Sequence, residues 1–485
     1  MRLRLLPFLI HVLFAAFVFS GCARSHFPDT VDIGQRLILT DGAPEFTLAA
    51  DGSYTEAGDP FLTVSVSLSK SSLVFTSRDD TLAARIQARF EILPDEETQA
   101  RGQETYVRTS SHTIAGDPER TVQRSTRIRY EEVFEVQPGF YTVTLTIRDE
   151  SSGKTLTRSV NTELPDLDDA SGLLTGISIF GNNASDGTTV SIATYDIPGI
   201  YDSLTFRYFI TRSENDPPVF AHMRLLEFES DQQPARHISF RNLPSNSIRV
   251  RGINYSESEI IEEQSRLFAD EFGAIEVEFT VDSPDIGSFR FEVFTSVEAD
   301  PDPSDAIVFR ARDFGMRSTH FPEVVTAREM AEPLIYLMND REHSELMAIE
   351  DETEMKRAVE RFWLDNLESP DLAREVMSLF YERVVEANKQ FSNHKSGWKT
   401  DLGMIYIIFG PPWYEDQFGR ELRWTFGFDR NDPFRVFVFD RSRIGSERFP
   451  FNSWTLNRRD FYHSVYFHRT QEWLNGFVLN RPFGS

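Results

Sequence analysis

Between residues 61 and 75 the chain reads FLTVSVSLSKSSLVF, with Leu62, Val64, Val66 and Leu68 on one side of an alternation and largely polar residues on the other. A period of two sends successive side chains to opposite faces, so this stretch predicts a half-buried strand. Residues 82–93, LAARIQARFEIL, have the composition of a helix, yet Ile86, Ala88, Phe90 and Ile92 recur with period two, so both readings stay open. A hairpin is predicted from residue 138 onward, with Tyr141, Val143, Leu145 and Ile147 on one face and the turn at residues 149–154. Residues 94–125 are polar and read as long loops or exposed strand. Strands at this spacing predict an antiparallel β-sandwich of about seven strands over residues 31–165.

Residues 164–172, LPDLDDASG, form a polar boundary, and a second β-rich unit is expected over residues 173–315. There GSFRFEVFTSV places Phe289, Phe291, Val293 and Thr295 in alternation, echoing GFYTVTLTI of the first unit. One short echo points only weakly to a duplicated sandwich. Residues 298–305, EADPDPSD, read as an acidic loop rather than a calcium loop, because prolines interrupt them and no Glu follows in register.

The period changes after Pro322. Met355, Val359 and Phe362 recur at helical spacing with Trp363 beside them, and Ser369-Pro370 suits a helix start. Leu372, Val376, Phe380, Val384, Ala387 and Phe391 then line one helical face. Residues 404–409, MIYIIF, read as a buried strand stopped by Gly410-Pro411-Pro412. Two further strands are expected in RELRWTFGF and FRVFVFDRS, which makes a three-stranded sheet followed by an aromatic tail over residues 454–477. The predicted fold is therefore two Ig-like β-sandwich domains, then a helical segment and a small α+β domain over residues 320–485.

The N-terminus adds a location. Arg2 and Arg4 precede an apolar run from Leu5 to Phe19, then Ser20-Gly21-Cys22, and Cys22 is the sole cysteine of the 485 residues. The run is short for a membrane span, which needs about 20 apolar residues. Residues 1–21 fit a signal peptide, with Cys22 as the lipidation site and residues 22–30 as a linker. The ending resembles a bacterial lipobox, departing from it in having Phe19 where Leu is usual. An exported protein held in the cell envelope by lipid, with the outer membrane as its expected place, follows. A net charge of −26 argues against nucleic acid and against docking on anionic headgroups. The expected partners are the membrane, through the N-terminal lipid, and an envelope protein.

Residues 397–401, Gly-Trp-Lys-Thr-Asp, and the GMIYIIFGPP that follows from Gly403 resemble the GWxTD-domain family of bacterial envelope proteins. ERFWLDNLESPD, YERVVEANKQFS and FRARDFGMRSTHFP are similar to segments of the same family, so the likeness covers about residues 305–445. Leu402 and Trp413 depart from the family pattern, which commonly has Arg and Asp at or near those places. The resemblance names the module without naming a reaction.

Chemically, Asp401 is a candidate general base, Thr400 a candidate nucleophile and His394 a candidate proton carrier. No orienting third group stands at a recognisable spacing, and no G-x-S-x-G elbow, H-E-x-x-H helix or Gly-rich phosphate loop is present. A structural role accounts for each residue more simply. Gly397 takes a positive φ after the helix, Trp398 fills an apolar pocket, and Thr400 and Asp401 fix a turn, with Asp401 in reach of Arg383. Gly403, Gly410, Pro411 and Pro412 complete the motif. His463 and His468 are five apart with no third ligand in view, so no metal or other cofactor is expected. Trp424, Trp454 and Trp473 are expected in the core rather than stacked on sugars. The expectation is a non-catalytic binding or assembly protein, with a hydrolase or a glycan-binding protein acting on envelope polymers as the alternatives.

Overall fold

A computed structural model describes residues 31–32, 42–55, 57–78, 81–116, 127–166, 174–240, 242–244, 246–429, 432–442, 452–480 and 483. Cys22 and the whole N-terminal segment lie outside these residues. The described chain is mostly β-sheet, with a C-terminal helical region. Among the described residues, no helix is long and apolar enough to cross a membrane.

In the first β unit, strands Phe46–Tyr54, Pro60–Ser69 and Arg127–Glu135 form one sheet. Strands Thr76–Arg78, Thr81–Pro94, Tyr106–Ala115, Gly139–Asp149 and Thr155–Leu164 form another. The predicted alternation is what they share. Leu62, Val64, Val66 and Leu68 from one sheet meet Ile86, Ala88, Phe90, Ile92, Val143, Leu145 and Ile147 from the other in a single apolar core. Residues 82–93 are thus strand: pairing on both sides, with Tyr106–Ala115 and Gly139–Asp149, outweighs their helical composition. Asp95 then caps the short helix Glu96–Ala100, accepting from Thr98 N at 2.8 Å.

The second unit has the sheet order Val31–Asp32, Val308–Arg317, Gly287–Ser296, Val219–Ser230, Ile253–Phe268, with Asp196–Pro198 also paired to Val308–Arg317. Its other sheet holds Thr188–Ile192, Ser178–Asn183, Ser203–Arg212 and Gly273–Asp282. Val31 and Asp32 pair parallel to Ala311 and Arg312, so the expected first domain gives its opening residues to the second unit's sheet. Phe206, Phe279, Phe291 and Phe314 meet in the core, with Phe206 and Phe291 stacked at a ring-centroid distance of 4.2 Å. Residues 298–305 contain the turn Pro303–Asp305, capped by Asp302 through Ser304 N at 2.9 Å.

The C-terminal unit corrects the sequence reading at residues 404–409 and in its sheet, which has four strands and not the three expected. Residues 404–409 lie in a helix, Asp401–Phe409, and not in a strand. A short apolar run carries no periodicity that separates a buried helix from a buried strand. Thr400 caps this helix, its hydroxyl accepting from Gly403 N at 3.0 Å. The sheet is four-stranded: Tyr414–Phe418, Glu421–Thr425, Val436–Arg441 and Trp454–Leu456. The tail continues as helix Tyr462–Leu474. Helices Glu352–Asn366 and Pro370–Phe391 bury Met355, Val359, Val376, Phe380, Val384 and Ala387 as their spacing predicted, whereas Phe362, Leu372 and Phe391 are half-buried and Trp363, beside Phe362, takes the core position. Ala235 and Ile238, from the connector between strands Val219–Ser230 and Ile253–Phe268, belong to this same core. The C-terminal unit therefore completes itself with residues that the second β unit supplies.

Candidate functional site

Helix Pro370–Phe391 ends at Ser392, whose hydroxyl donates to Asn388 O at 2.6 Å and accepts from Gly397 N at 2.8 Å. The chain turns back so tightly that a Cβ on Gly397 would lie 1.8 Å from Ala387 O. Gly403 is similarly placed, 2.0 Å from Gly397 O. Close backbone approach, and not the positive φ expected from sequence, is what requires glycine at 397. The left-handed position falls instead at Gly410, φ +89°, which ends helix Asp401–Phe409. Pro411 and Pro412 follow as residues that cannot extend that helix.

Trp398 is 6% exposed; its N–H donates to Asn388 Oδ1 at 3.2 Å and its carbonyl accepts from Tyr336 Oη at 2.8 Å. Tyr336 meets its ring edge-on at 6.0 Å. Thr400 uses its hydroxyl twice, donating to Gly397 O at 2.7 Å and accepting from Gly403 N. Asp401 pairs with Arg458 in a two-pronged contact of 2.8 and 3.1 Å, and its Oδ2 also accepts from Leu456 N at 2.7 Å. Both partners of the ion pair are largely buried.

The expected partner, Arg383, is elsewhere. Its guanidinium donates to Ile407 O at 3.0 Å and lies over Trp473. Burial, with Arg469 close by, lowers it to about 10. Helical phase explains the miss: the bend from one helix into the next carries Asp401 toward the aromatic tail.

Residues 393–395 are fastened to the second β unit. The His394 carbonyl accepts from Gln232 Nε2 at 2.9 Å and from Arg317 Nη1 at 3.1 Å, and Arg317 Nη2 donates to Asn393 O at 2.5 Å. Arg317 also pairs with Asp196 at 2.6 Å. Lys395 Nζ reaches Asp231 Oδ2 at 2.5 Å and Gln233 O at 2.8 Å, with both charged groups buried. Burial holds Lys395 below its ordinary value against the pull of Asp231. Burial, then Lys395 and Arg317, push the His394 imidazole well below the usual histidine range, so it stays neutral. Arg458 closes the fastening by donating to Arg236 O at 2.8 Å, while its N–H donates to Asn242 Oδ1 at 2.9 Å.

The site brings together Gly397, Trp398, Thr400, Asp401 and Gly403, and leaves Gly410, Pro411 and Pro412 at the far end of one helix. Sequence reasoning missed Asp231, Arg317, Lys395 and Arg458. Arg317 lies inside a segment whose family likeness was legible, whereas Arg458 carried no local signal. Among the described residues no group of three His, Cys, Asp or Glu is arranged to hold a metal. His463 and His468 are exposed on the helix Tyr462–Leu474, and Trp424 and Trp473 are buried while Trp454 is half-buried.

A second feature is a cleft of about 790 Å³ between the first and second β units. Asp51, Thr142, Asn161 and Glu163 face Arg207 and Arg310 across it. Ser191 Oγ bridges the units by donating to Asp51 Oδ2 at 2.6 Å. Burial raises Asp51, opposed by Ser178 and Ser191, and burial likewise raises Glu163.

The class these features define is a β-rich chain ending in a compact α+β module with a glycine-built joint. Residues 304–475 match the model of the GWxTD domain family, and the chain carries a GWxTD domain over that span. The match opens just before strand Val308–Arg317, which belongs to the second unit's sheet and ends in the arginine that grips the joint. Comparison with curated proteins gives no match. Among solved structures, red sea bream transglutaminase is similar at 10% identity over 56% of this chain and 31% of its own, with a TM-score of 0.18. The C-terminal domain of the Streptococcus pyogenes antigen I/II-family protein AspA gives 11% identity, 56% and 99% coverage, and a TM-score of 0.16. E. coli alpha-2-macroglobulin in its native conformation gives 14%, 56% and 16%, with a TM-score of 0.17. The chain spans about a third of the transglutaminase, and likenesses at this level carry no functional argument.

Proposed function

We propose that this chain is a lipid-anchored bacterial cell-envelope protein, held in the outer membrane through Cys22, with a non-catalytic binding or assembly role. The observation that carries the non-catalytic part is the state of the motif. Thr400 is consumed by helix capping, and Asp401 by Arg458 and Leu456 N. In this reading the paired sheets are Ig-like β-sandwiches serving as a stalk or as binding modules. The GWxTD domain is the recognition or assembly unit, and its envelope partner is a protein. The anchor rests on the sole cysteine standing after Ser20-Gly21 behind an apolar run. Acyl chains contribute about 0.8 kcal/mol per buried CH₂, and more than one chain holds stably.

Two measurements test the proposal. Cys22→Ser should release the chain from membranes and abolish acyl labelling; unchanged fractionation and labelling would remove the anchor. A screen of envelope polymers with the intact chain should give no turnover, and turnover that Asp401→Asn abolishes would replace the assembly role with catalysis. A second reading, binding of an envelope glycan, is favoured by the cleft. Its hydroxyl, amide and charged groups suit a hydroxyl-rich chain. Saturable glycan binding weakened by Asn161→Ala and left intact by Asp401→Asn would support it.

A further inference from the structure

Among the described residues, the strand Ile253–Phe268 ends its sheet: its one neighbour in the sheet order is Val219–Ser230. It is 16 residues long, and residues 256–265 are exposed throughout. This run reads SESEIIEEQS, so Glu257, Glu259, Glu262 and Glu263 flank Ile260 and Ile261, which are 47% and 45% exposed. A bulge at Ile261 interrupts the register between Leu225/Glu262 and Leu226/Ile260.

Elsewhere in this unit, three strand carboxylates meet arginines directly across the ladder. Arg207 pairs with Glu278 at 2.7 Å, Arg290 with Asp313 at 2.6 Å, and Arg224 with Glu292. The edge strand breaks that rule. Glu259 stands opposite Glu227, Glu262 opposite Leu225, and Glu263 opposite Arg224, which Glu292 already engages. Like charges directly opposed destabilise a strand pair. Beside the strand a groove of about 460 Å³ is lined by Glu227, Glu229, Glu257 and Glu259, with no Lys or Arg among its described lining residues. Burial there, with Glu259 and Asp285 adding repulsion, raises the Glu227 carboxyl.

We propose that the outer edge of strand Ile253–Phe268 is a docking site for an extended, basic segment of a partner protein, which adds to the sheet as a further strand. The edge, unpaired among the described residues, offers backbone groups, Ile260 and Ile261 offer apolar contact, and the four glutamates select Lys and Arg. A second copy of this chain does not fit, because antiparallel pairing of two such edges would set glutamate against glutamate. The inference deepens the assembly role proposed above, and it rests on residues other than Cys22 and the GWxTD motif.

The test uses the full chain in detergent and a labelled synthetic peptide of alternating Lys and Val, about ten residues long to match the exposed run. Two controls accompany it: alternating Glu and Val, and the Lys-Val peptide with every third residue replaced by Pro. The Lys-Val peptide should bind with salt-sensitive affinity and slow amide hydrogen exchange in residues 256–265. Replacing Glu257, Glu259, Glu262 and Glu263 by Lys should weaken that binding at least about tenfold and transfer preference to the Glu-Val peptide. Equal binding of the proline-interrupted peptide would overturn the proposal, since charge without strand addition would explain it. Unprotected amides in residues 256–265, or dimerisation through this edge, would also overturn it. Should the fourfold variant fail to fold, hydrogen exchange of the wild-type chain with the three peptides decides alone. Failure here with normal membrane fractionation would remove the edge site and leave the anchor standing.

Discussion

Two boundaries between units are built in different ways. The first and second β units enclose an open cleft and meet there through isolated contacts such as the Ser191–Asp51 hydrogen bond and the edge-on rings of Tyr54 and Phe209, 6.3 Å apart. The second β unit and the GWxTD domain share a core, with Ala235 and Ile238 packed among helices that follow them by some hundred residues. Around that core Lys395–Asp231, Arg317 with the carbonyls of Asn393 and His394, and Asp401–Arg458 are all buried. An interface of the second kind holds its partners as one body. One of the first kind leaves surface for a ligand. The GWxTD motif belongs to the fastening, and its polar residues act by removing the cost of burying backbone at a tight turn.

The largest expected effect is at the aromatic anchor. Trp398→Ala should lower stability by about 3–5 kcal/mol, as loss of a large buried aromatic does, and thermal unfolding of the full chain reads it. A loss below about 1 kcal/mol would show that the joint is not packed as described.

Breaking the ion pair comes next. Lys395→Met leaves the buried Asp231 only its longer contact with Arg249, at 3.5 Å, and should cost about 3 kcal/mol. Lys395→Met with Asp231→Leu should recover most of that loss. A double-mutant cycle measures the difference, and additive losses would mean that the two residues do not act as a pair.

Asp401→Asn should cost about 2 kcal/mol, because Arg458 keeps its burial and loses the charge that matched it. Chemical denaturation gives the value. An unchanged midpoint would place Arg458 in solvent.

A smaller effect is a slope. His394 is held well below its ordinary value of 6.5, so as pH falls below 6.5 the unfolded chain binds a proton that the folded chain refuses. The unfolded state then holds more protons, and stability must fall with falling pH, by up to about 1.4 kcal/mol per unit from this group. His394→Gln should flatten the acid limb of a stability–pH curve by that amount. At the open boundary, Ser191→Ala should change stability by no more than about 1 kcal/mol, consistent with one hydrogen bond of a half-buried group.

Much of this protein was legible in its sequence, and the reason differs by region. Alternation over residues 61–68 and 141–147 determined strands and their inward faces, because a period of two has one reading when one face is buried. Ser369-Pro370 and the spacing from Val376 to Ala387 determined the long helix and its buried face. The GWxTD module was legible from residues 397–412 and from the segments upstream of them. The tertiary structure alone decided that residues 404–409 are helix, since a run apolar on every side contains no phase to read. It alone decided that Asp401 meets Arg458, 57 residues away, and that Asp231 meets Lys395, 164 residues away. Charge partners so far apart are chosen by how the units pack, and no local pattern in the chain records that choice.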